Sequence, residues 1–345
     1  MTLLKNDGGL LPLDPDTTRR VALLGPKLKK RNCLPLWGGS AGVWSPGEVT
    51  PWQGLQRENN NRFQFVSDPA AADAVLLFVG LSHRPGLDSE VKDRASLELP
   101  WQQDALISKT LAVNPNTVVV LMTGSPVVMP WVEEVPAILQ CWYPGMEGGT
   151  AIARTLFGDN NPCGKLPVTF PRSLGDSPAH RSERTFPGTR KTVHYDEELL
   201  VGYRHYDKYG IEPLFPFGHG LSYTRFNYAG LAASSEVSTP EEPVQLTVDV
   251  VNEGDRAGDE VVQLYLADLQ AEAGRPEQAL KGFEKISLQP GECKTVNFTL
   301  GPSDFGYFCP AAGCWRTRQG EYEVRIGSSS RDIRLRQVIS LEAGA

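Results

Sequence analysis

The sequence predicts an α/β sandwich domain with a mostly parallel sheet, followed by a smaller all-β sandwich. Before about residue 230, continuous apolar runs alternate with helical patterns, which is typical of parallel strands buried on both faces. After residue 240, apolar and polar residues alternate, which indicates strands with one solvated face. A length of 345 residues is enough for two such domains.

The first domain is predicted from strand-forming runs that alternate with helix formers. Trp101–Val113 follows a proline and places its apolar residues largely on one face, which indicates a helix. Glu147–Phe157 also carries a helical pattern. The strand-forming runs are Arg20–Gly25, Ala74–Gly80, Thr117–Met122 and Ala137–Trp142. In folds of this class, functional loops lie at the carboxyl ends of the strands.

The second domain is predicted from short alternating strands separated by turns. These strands are Val244–Val251, Glu260–Ala267, Lys294–Leu300 and Gly320–Ile326. Their spacing favours a sandwich of the immunoglobulin or fibronectin type III kind. The predicted limits are 1–231 for the first domain, 232–243 for a polar linker and 244–345 for the second domain.

A long middle segment, Pro171–Pro213, matches neither pattern. It is polar and then rich in tyrosine, and long irregular segments tend either to be functional or to wrap a neighbouring element. A surface connection without a function is the alternative interpretation.

Composition excludes several classes of function. Asp and Glu (41) outnumber Lys and Arg (34), and the net charge of −7 argues against binding to nucleic acid. No apolar run approaches the roughly 20 residues of a membrane span, and no secretory signal is visible, so a cytoplasmic location is the default expectation. The six cysteines form no C-x-x-C pair, so we expect free thiols, no metal and no cofactor. Cys309 and Cys314 could bridge a loop in an exported protein.

The glycine-rich segment near residue 40 is a candidate for binding a ligand through its backbone. It lacks the G-x-G-x-x-G spacing of a dinucleotide site, and neither a P-loop nor a G-x-S-x-G elbow occurs in the sequence. We expect Gly38, Gly39 and Ser40 to form a tight loop that approaches a ligand.

The densest cluster of charges follows the second strong strand, from Gly80 to Arg94. A carboxylate in such a loop suits a general acid, and Glu90 is the candidate, with a pKa raised by a shielded site. Asp93 and Arg94 are expected to pair and to hold the loop. The alternative is a solvated, charged loop with no chemical role.

The ordered motifs of the chain resemble the C-terminal part of family 3 glycoside hydrolases, the β-glucosidase and β-xylosidase group. Ser89–Arg94, together with Leu97–Pro100 and Gln103, resembles the acid/base loop of that family. The remaining matching segments, which run through nearly the whole chain, are Leu3–Leu13, Trp142–Gly149, Leu156–Asp159, Asn161–Pro167, Val201–Arg204, Pro213–Tyr223, Leu280–Phe283 and Val324–Gly327.

The resemblance implies a retaining glycosidase with Glu90 as its acid/base. Many β-glucosidases have Gly directly after this Glu, where this chain has Val91, so the path of the loop is expected to differ. The family places its nucleophilic Asp in an N-terminal (β/α)₈ barrel, and nothing in this sequence resembles that barrel. The expected partners are a separate barrel chain and a β-linked gluco- or xylo-oligosaccharide or an aryl glycoside.

Two other hypotheses stay open at this stage. In the first, the chain is a non-catalytic carbohydrate-binding or accessory protein. In the second, it is an independent hydrolase in which Asp88 or Asp93 partners Glu90. In the accessory hypothesis, sugar rings stack on tryptophans, for which the candidates are Trp37, Trp44, Trp52 and Trp142. The short separation between Glu90 and either aspartate makes opposed placement across a sugar ring awkward.

Overall fold

The computed structural model describes residues 1–31, 45–90, 92–272 and 274–342. Contacts divide the chain into two compact units, which are treated separately below. Unit 1 comprises Met1–Lys165, Phe170–Leu174 and Gly220–Tyr223, and unit 2 comprises Leu166–Thr169, Gly175–His219 and Thr224–Ala345.

Unit 1 contains a six-stranded sheet. Its strands are β1 (Thr2–Asn6), β2 (Arg20–Leu24), β3 (Gln64–Val66), β4 (Ala74–Gly80), β5 (Thr117–Met122) and β6 (Ala137–Gln140). The strand order is β1-β6-β5-β4-β2-β3, and all neighbours are parallel except β1, which runs antiparallel to β6. The predicted α/β class with a mostly parallel sheet is therefore confirmed.

The central strands are those whose sequences read as continuous apolar runs. Every residue of β4, β5 and β6 is buried, as expected for strands covered on both faces. β1 was not predicted, because Lys5 and Asn6 shorten its apolar run to Leu3 and Leu4. Its place at the edge of the sheet comes from pairing with β6, a partner far away in sequence.

The described part of unit 1 contains three α-helices: α1 (Pro51–Glu58), α2 (Gln103–Val113) and α3 (Gly148–Leu156). α2 begins at Gln103 rather than at the predicted Trp101, because Trp101 and Gln102 both adopt a left-handed backbone with φ of 58°. α1 was not predicted. Thr50 caps it by accepting a hydrogen bond from the Gln53 N–H, while the Gln53 side chain bonds back to Thr50.

Helices α1 and α3 approach each other closely through glycines. A Cβ atom on Gly54 would lie 2.0 Å from the carbonyl oxygen of Gly149. Only the absence of a side chain allows this approach. The contact places the amino end of α3 against α1.

Among its described residues, unit 2 contains one short α-helix and a β-sandwich. The helix is α4 (Tyr203–Lys208), and the strands are β7 (Phe226–Ala233), β8 (Val237–Ser238), β9 (Val244–Asn252), β10 (Gly258–Asp268), β11 (Ala279–Leu288), β12 (Cys293–Leu300), β13 (Gly306–Cys309), β14 (Cys314–Thr317), β15 (Gly320–Gly327) and β16 (Ile333–Leu341). One sheet has the order β11-β10-β15-β16-β8, the other has the order β12-β9-β7, and β13 and β14 form a hairpin. The inward residues of both sheets, such as Val248, Val262 and Val324, form one core. The predicted all-β sandwich is confirmed.

The compact units divide the chain differently from the predicted limits of 1–231, 232–243 and 244–345. β7 lies partly within the predicted first domain, yet it pairs with β9 of the sandwich. β8 lies inside the predicted linker and pairs with β16. Both strands lie at the edges of their sheets, and their pairing partners, rather than their own composition, make them strands.

The tyrosine-rich middle segment packs within unit 2. The ring of Tyr203 stacks on Phe217 with a centroid distance of 4.9 Å, and its hydroxyl accepts a hydrogen bond of 2.9 Å from the Leu280 N–H. Asp207 forms an ion pair of 2.7 Å with Arg331. These contacts agree with the prediction that the segment wraps a neighbouring element.

The described cysteines are free thiols, and Cys33 lies outside the described residues. Cys309 and Cys314 face each other across the β13–β14 hairpin. Within the described ranges, no helix is both long enough and apolar enough to cross a membrane.

Candidate functional site

The loop that carries Glu90 joins β4 to α2, and Gln103 holds its two ends together. The buried Gln103 side chain accepts a hydrogen bond from the Gly80 N–H (2.8 Å) and donates to the carbonyl oxygens of Gly80 (3.0 Å) and Pro100 (2.9 Å). A buried amide with three such bonds is well satisfied. These bonds hold the start of the loop, at Gly80, close to its end, at Pro100.

Asp88 anchors the middle of this loop. Its Oδ2 accepts hydrogen bonds from the Gly124 N–H (2.7 Å) and from the Tyr143 hydroxyl (2.8 Å), and its Oδ1 accepts one from the Ser125 hydroxyl. Hydrogen bonds to a charged acceptor are stronger than those between neutral groups. Through these bonds, one carboxylate joins the loop to the segment after β5 and to the segment after β6.

Parallel strand topology explains why these partners meet. Asp88 follows β4, Ser125 follows β5 and Tyr143 follows β6, and the three strands are neighbours in the sheet. The carboxyl ends of parallel strands lie at one edge, so residues far apart in sequence converge there. The site lies at that edge of unit 1.

Arg94 supports the loop on the far side of Glu90, but not through the expected partner. Its Nη1 donates to the Ser125 hydroxyl (2.8 Å) and to the Pro126 carbonyl oxygen (2.9 Å). Among the residues that the structure describes, Arg94 forms no ion pair with Asp93, and Asp93 is exposed. The expected pair does not form because the guanidinium reaches across the loop to Ser125, which also bonds to Asp88.

Glu90 is exposed and lies between these two anchored residues. Asp88 and Arg94 both bond to Ser125. The shielded site expected for Glu90 is therefore not observed, but an exposed carboxyl group can exchange a proton with a bound molecule. Val91, the predicted point of departure from the family pattern, lies outside the described residues.

Burial sets the protonation of the aromatic groups behind the loop. It raises the pKa of Tyr143 well above its ordinary value, and the neighbouring Asp88 carboxylate adds to the effect. Tyr143 therefore keeps its proton, and its hydroxyl donates a hydrogen bond to Asp88. Burial also lowers the pKa of His83, whose Nδ1 lies 3.0 Å from the Asp88 carbonyl oxygen and whose ring packs at 4.1 Å from that of Tyr143.

Lys27 is a site residue that sequence reasoning missed. It follows β2, the neighbour of β4, and only 5% of its surface is exposed. Burial, then the nearby Arg84, lowers its pKa to about 8, while Asp88 opposes the shift and Lys30 adds to it. Its position just after the predicted strand Arg20–Gly25 is the sequence feature that could have identified it.

Burial of Lys27 predicts an unusual pH dependence of stability. Its pKa is about 8 in the folded chain and 10.5 when exposed, so between these values the unfolded chain binds more protons. The free energy of unfolding should therefore rise across that interval by about 3 kcal/mol. Urea unfolding at a series of pH values should show the rise in the unsubstituted chain and not in Lys27→Met.

The exposed Lys109 provides the matched control for this experiment. Lys109→Met should follow the curve of the unsubstituted chain, since this side chain loses little hydration on folding. If the free energy of unfolding of Lys27→Met changed with pH as that of the unsubstituted chain does, burial would not lower the pKa of Lys27.

The other predicted ligand-binding residues have a different status. Gly38, Gly39, Ser40, Trp37 and Trp44 lie outside the described residues. The two described tryptophans of the accessory hypothesis take part in packing. Trp52 lies against the core of unit 1 with the Lys29 amine 4.7 Å from its ring centroid, and Trp142 contacts Phe170 edge-on at 6.2 Å.

Comparisons with known proteins agree with this fold. The family model for the glycosyl hydrolase family 3 C-terminal domain matches residues 1–223, and the model for the fibronectin type III-like domain matches residues 260–330. The chain is 38% identical to thermostable beta-glucosidase B of Acetivibrio thermocellus over 99% of its own length. It is 45% identical to a beta-glucosidase of Rhizobium radiobacter over 78% of its length.

A solved structure shows the same architecture. The GH3 beta-glucosidase of Bifidobacterium adolescentis superposes with a TM-score of 0.89 at 32% identity, over 99% of this chain and 51% of that protein. The chain spans 47% of the Acetivibrio relative and 33% of the Rhizobium relative. Fold, motifs and these matches together show that the chain belongs to glycoside hydrolase family 3 and contains its C-terminal α/β domain followed by a fibronectin type III-like domain.

Proposed function

We propose that this chain supplies Glu90 as the general acid/base of a retaining β-glucosidase. The nucleophile would come from a (β/α)₈ barrel that this sequence does not contain. The observation that supports the role of Glu90 best is its exposed position between Asp88 and Arg94, which both bond to Ser125. An exposed carboxyl group beside the carboxyl ends of parallel strands is accessible to a bound molecule, as proton transfer requires.

In the proposed reaction Glu90 acts twice. It first donates its proton to the glycosidic oxygen as the barrel carboxylate attacks the anomeric carbon and the alcohol leaves. It then removes a proton from water, which displaces the barrel carboxylate and releases the sugar with retained configuration. The two carboxyl groups of retaining enzymes lie about 5–5.5 Å apart, so the barrel must dock against the edge of unit 1 that carries Glu90.

Asp88 is poorly suited to be the nucleophile of a self-sufficient enzyme. Both of its oxygens accept hydrogen bonds, from Gly124, Ser125 and Tyr143, and these bonds point the carboxylate into the protein. Asp93 is exposed but lies on the same short segment as Glu90. Neither aspartate offers a carboxylate on the opposite side of a sugar ring.

A β-glucoside is the proposed substrate class. The Acetivibrio and Rhizobium relatives are both described as beta-glucosidases. A β-xyloside is the next candidate.

Complementation tests the proposal directly. This chain should be co-expressed with the part of the Acetivibrio relative that lies outside the match, and aryl β-glucoside hydrolysis should be measured. We expect the pair to hydrolyse the substrate and each polypeptide alone to be inactive, because each supplies one carboxyl group.

Two results would contradict the proposal. Activity of this chain alone, abolished by Glu90→Gln, would mean that the nucleophile lies within it. An assembled pair that is inactive, but in which this chain still binds oligosaccharides, would favour the accessory hypothesis.

A further inference from the structure

Unit 2 contains a cavity of about 290 Å³ beside the β13–β14 hairpin. Its wall includes three aromatic side chains of the hairpin, Tyr307, Phe308 and Trp315. Trp315 is 71% exposed and Phe308 is 47% exposed. Large aromatic surface left in water at the mouth of a cavity indicates a binding site more often than an isolated exposed residue does.

The aromatic wall is held in place by its neighbours. Phe308 and Trp315 are direct partners across the hairpin, and their rings meet edge to face at 5.9 Å. The ring of Tyr307 has the guanidinium of Arg275 at 3.9 Å and that of Arg318 at 5.5 Å. Rigid aromatic groups bind with little loss of conformational entropy.

The charges around the cavity are of both signs. Arg204, Arg275 and Lys281 line it together with Asp268 and Asp304. Lys281 is partly buried, and this burial lowers its pKa. The carboxylates would repel an anionic ligand and the cations would repel a cationic one. An apolar ligand would cover these charged groups without offering them hydrogen bonds.

A ligand that fits this lining needs apolar faces and also groups that both donate and accept hydrogen bonds. Sugars whose hydroxyls are equatorial meet both needs, because their C–H faces stack on aromatic rings while their hydroxyls surround the edge. We propose that this cavity binds a neutral oligosaccharide of the β-gluco or β-xylo type, with a sugar ring stacked on Trp315. The proposal goes beyond the proposed hydrolase function, since it places a second saccharide site on unit 2.

Calorimetric titration of this chain with cellohexaose and with xylohexaose tests the proposal. We expect at least one to bind, and Trp315→Ala to weaken binding by about tenfold or more. Trp315→Phe should retain part of the affinity because it keeps a ring for stacking. Since Trp315 is exposed, these variants should unfold at the same temperature as the unsubstituted chain.

Phe283→Ala is the matched control, because Phe283 is an aromatic residue of unit 2 that is 65% exposed and does not line the cavity. It should bind as the unsubstituted chain does, and so should Glu90→Gln, which separates this proposal from the hydrolase proposal. Absence of binding to both oligosaccharides, or equal losses in Phe283→Ala and Trp315→Ala, would overturn the proposal. Binding of polygalacturonate in place of the neutral oligosaccharides would overturn it as well.

Discussion

Glu90→Gln should lower the kcat/KM of the complemented enzyme for cellobiose by about 10²–10⁴-fold, the range that general acid catalysis contributes. The amide has the same shape as the carboxyl group but cannot donate a proton to the leaving alcohol. The loss should be much smaller for formation of the glycosyl-enzyme from a dinitrophenyl β-glucoside, whose leaving group needs no protonation. Steady-state and burst kinetics with both substrates measure this difference.

A second readout isolates the base function of Glu90. Azide attacks the glycosyl-enzyme without a general base, so it should restore turnover of the dinitrophenyl glucoside by Glu90→Gln and yield β-glucosyl azide. Glu134→Gln, at an exposed carboxylate of unit 1, is the matched control and should keep full activity. Equal losses with both substrates and no azide product would exclude Glu90 as the acid/base.

Asp88→Asn should disrupt the loop without touching the reacting carboxyl group. An amide offers a single oxygen and an N–H₂ group, whereas Gly124, Ser125 and Tyr143 all donate to this side chain. At least one of the three hydrogen bonds to the carboxylate is then lost, at a cost of about 1–3 kcal/mol in the free energy of unfolding. Urea unfolding of the chain measures that loss, and the exposed Asp16→Asn is the control.

The same substitution should also lower activity if Asp88 positions Glu90, as the proposed function requires. A misplacement of about 1 Å can reduce a rate by about 100-fold. We expect kcat for cellobiose to fall by that order at temperatures where the variant is fully folded, with a smaller loss for the dinitrophenyl glucoside. A purely structural role for Asp88 would lower the unfolding temperature and leave the kcat of the folded enzyme unchanged for both substrates.

Much of the fold could be predicted from local patterns of the sequence. The runs Ala74–Gly80 and Thr117–Met122 are apolar throughout, and such runs form parallel strands because both of their faces must be covered. The alternation in Val244–Val251 likewise reports one buried and one solvated face. Edge elements such as β1 and β8 were missed because their pairing partners, rather than their own residues, make them strands.

The candidate site was also predicted only in part. Glu90 was predicted from its motif, and the structure places it in the loop that follows β4. The role of Asp88 could not, because its partners Gly124, Ser125 and Tyr143 lie 36, 37 and 55 residues away along the chain. Sequence neighbours suggested that Arg94 pairs with Asp93, whereas the sheet brings Ser125 within its reach.

The sequence by itself determined the fold class, the central strands of the parallel sheet, the family motifs and the candidate acid/base residue. Only the tertiary structure decided which side chains support that group and how deeply Lys27 is buried. The physical reason is that apolar periodicity is a local property of the chain. Hydrogen bonding and desolvation at the carboxyl ends of parallel strands depend on which strands become neighbours, and the long-range pairing of the sheet settles that.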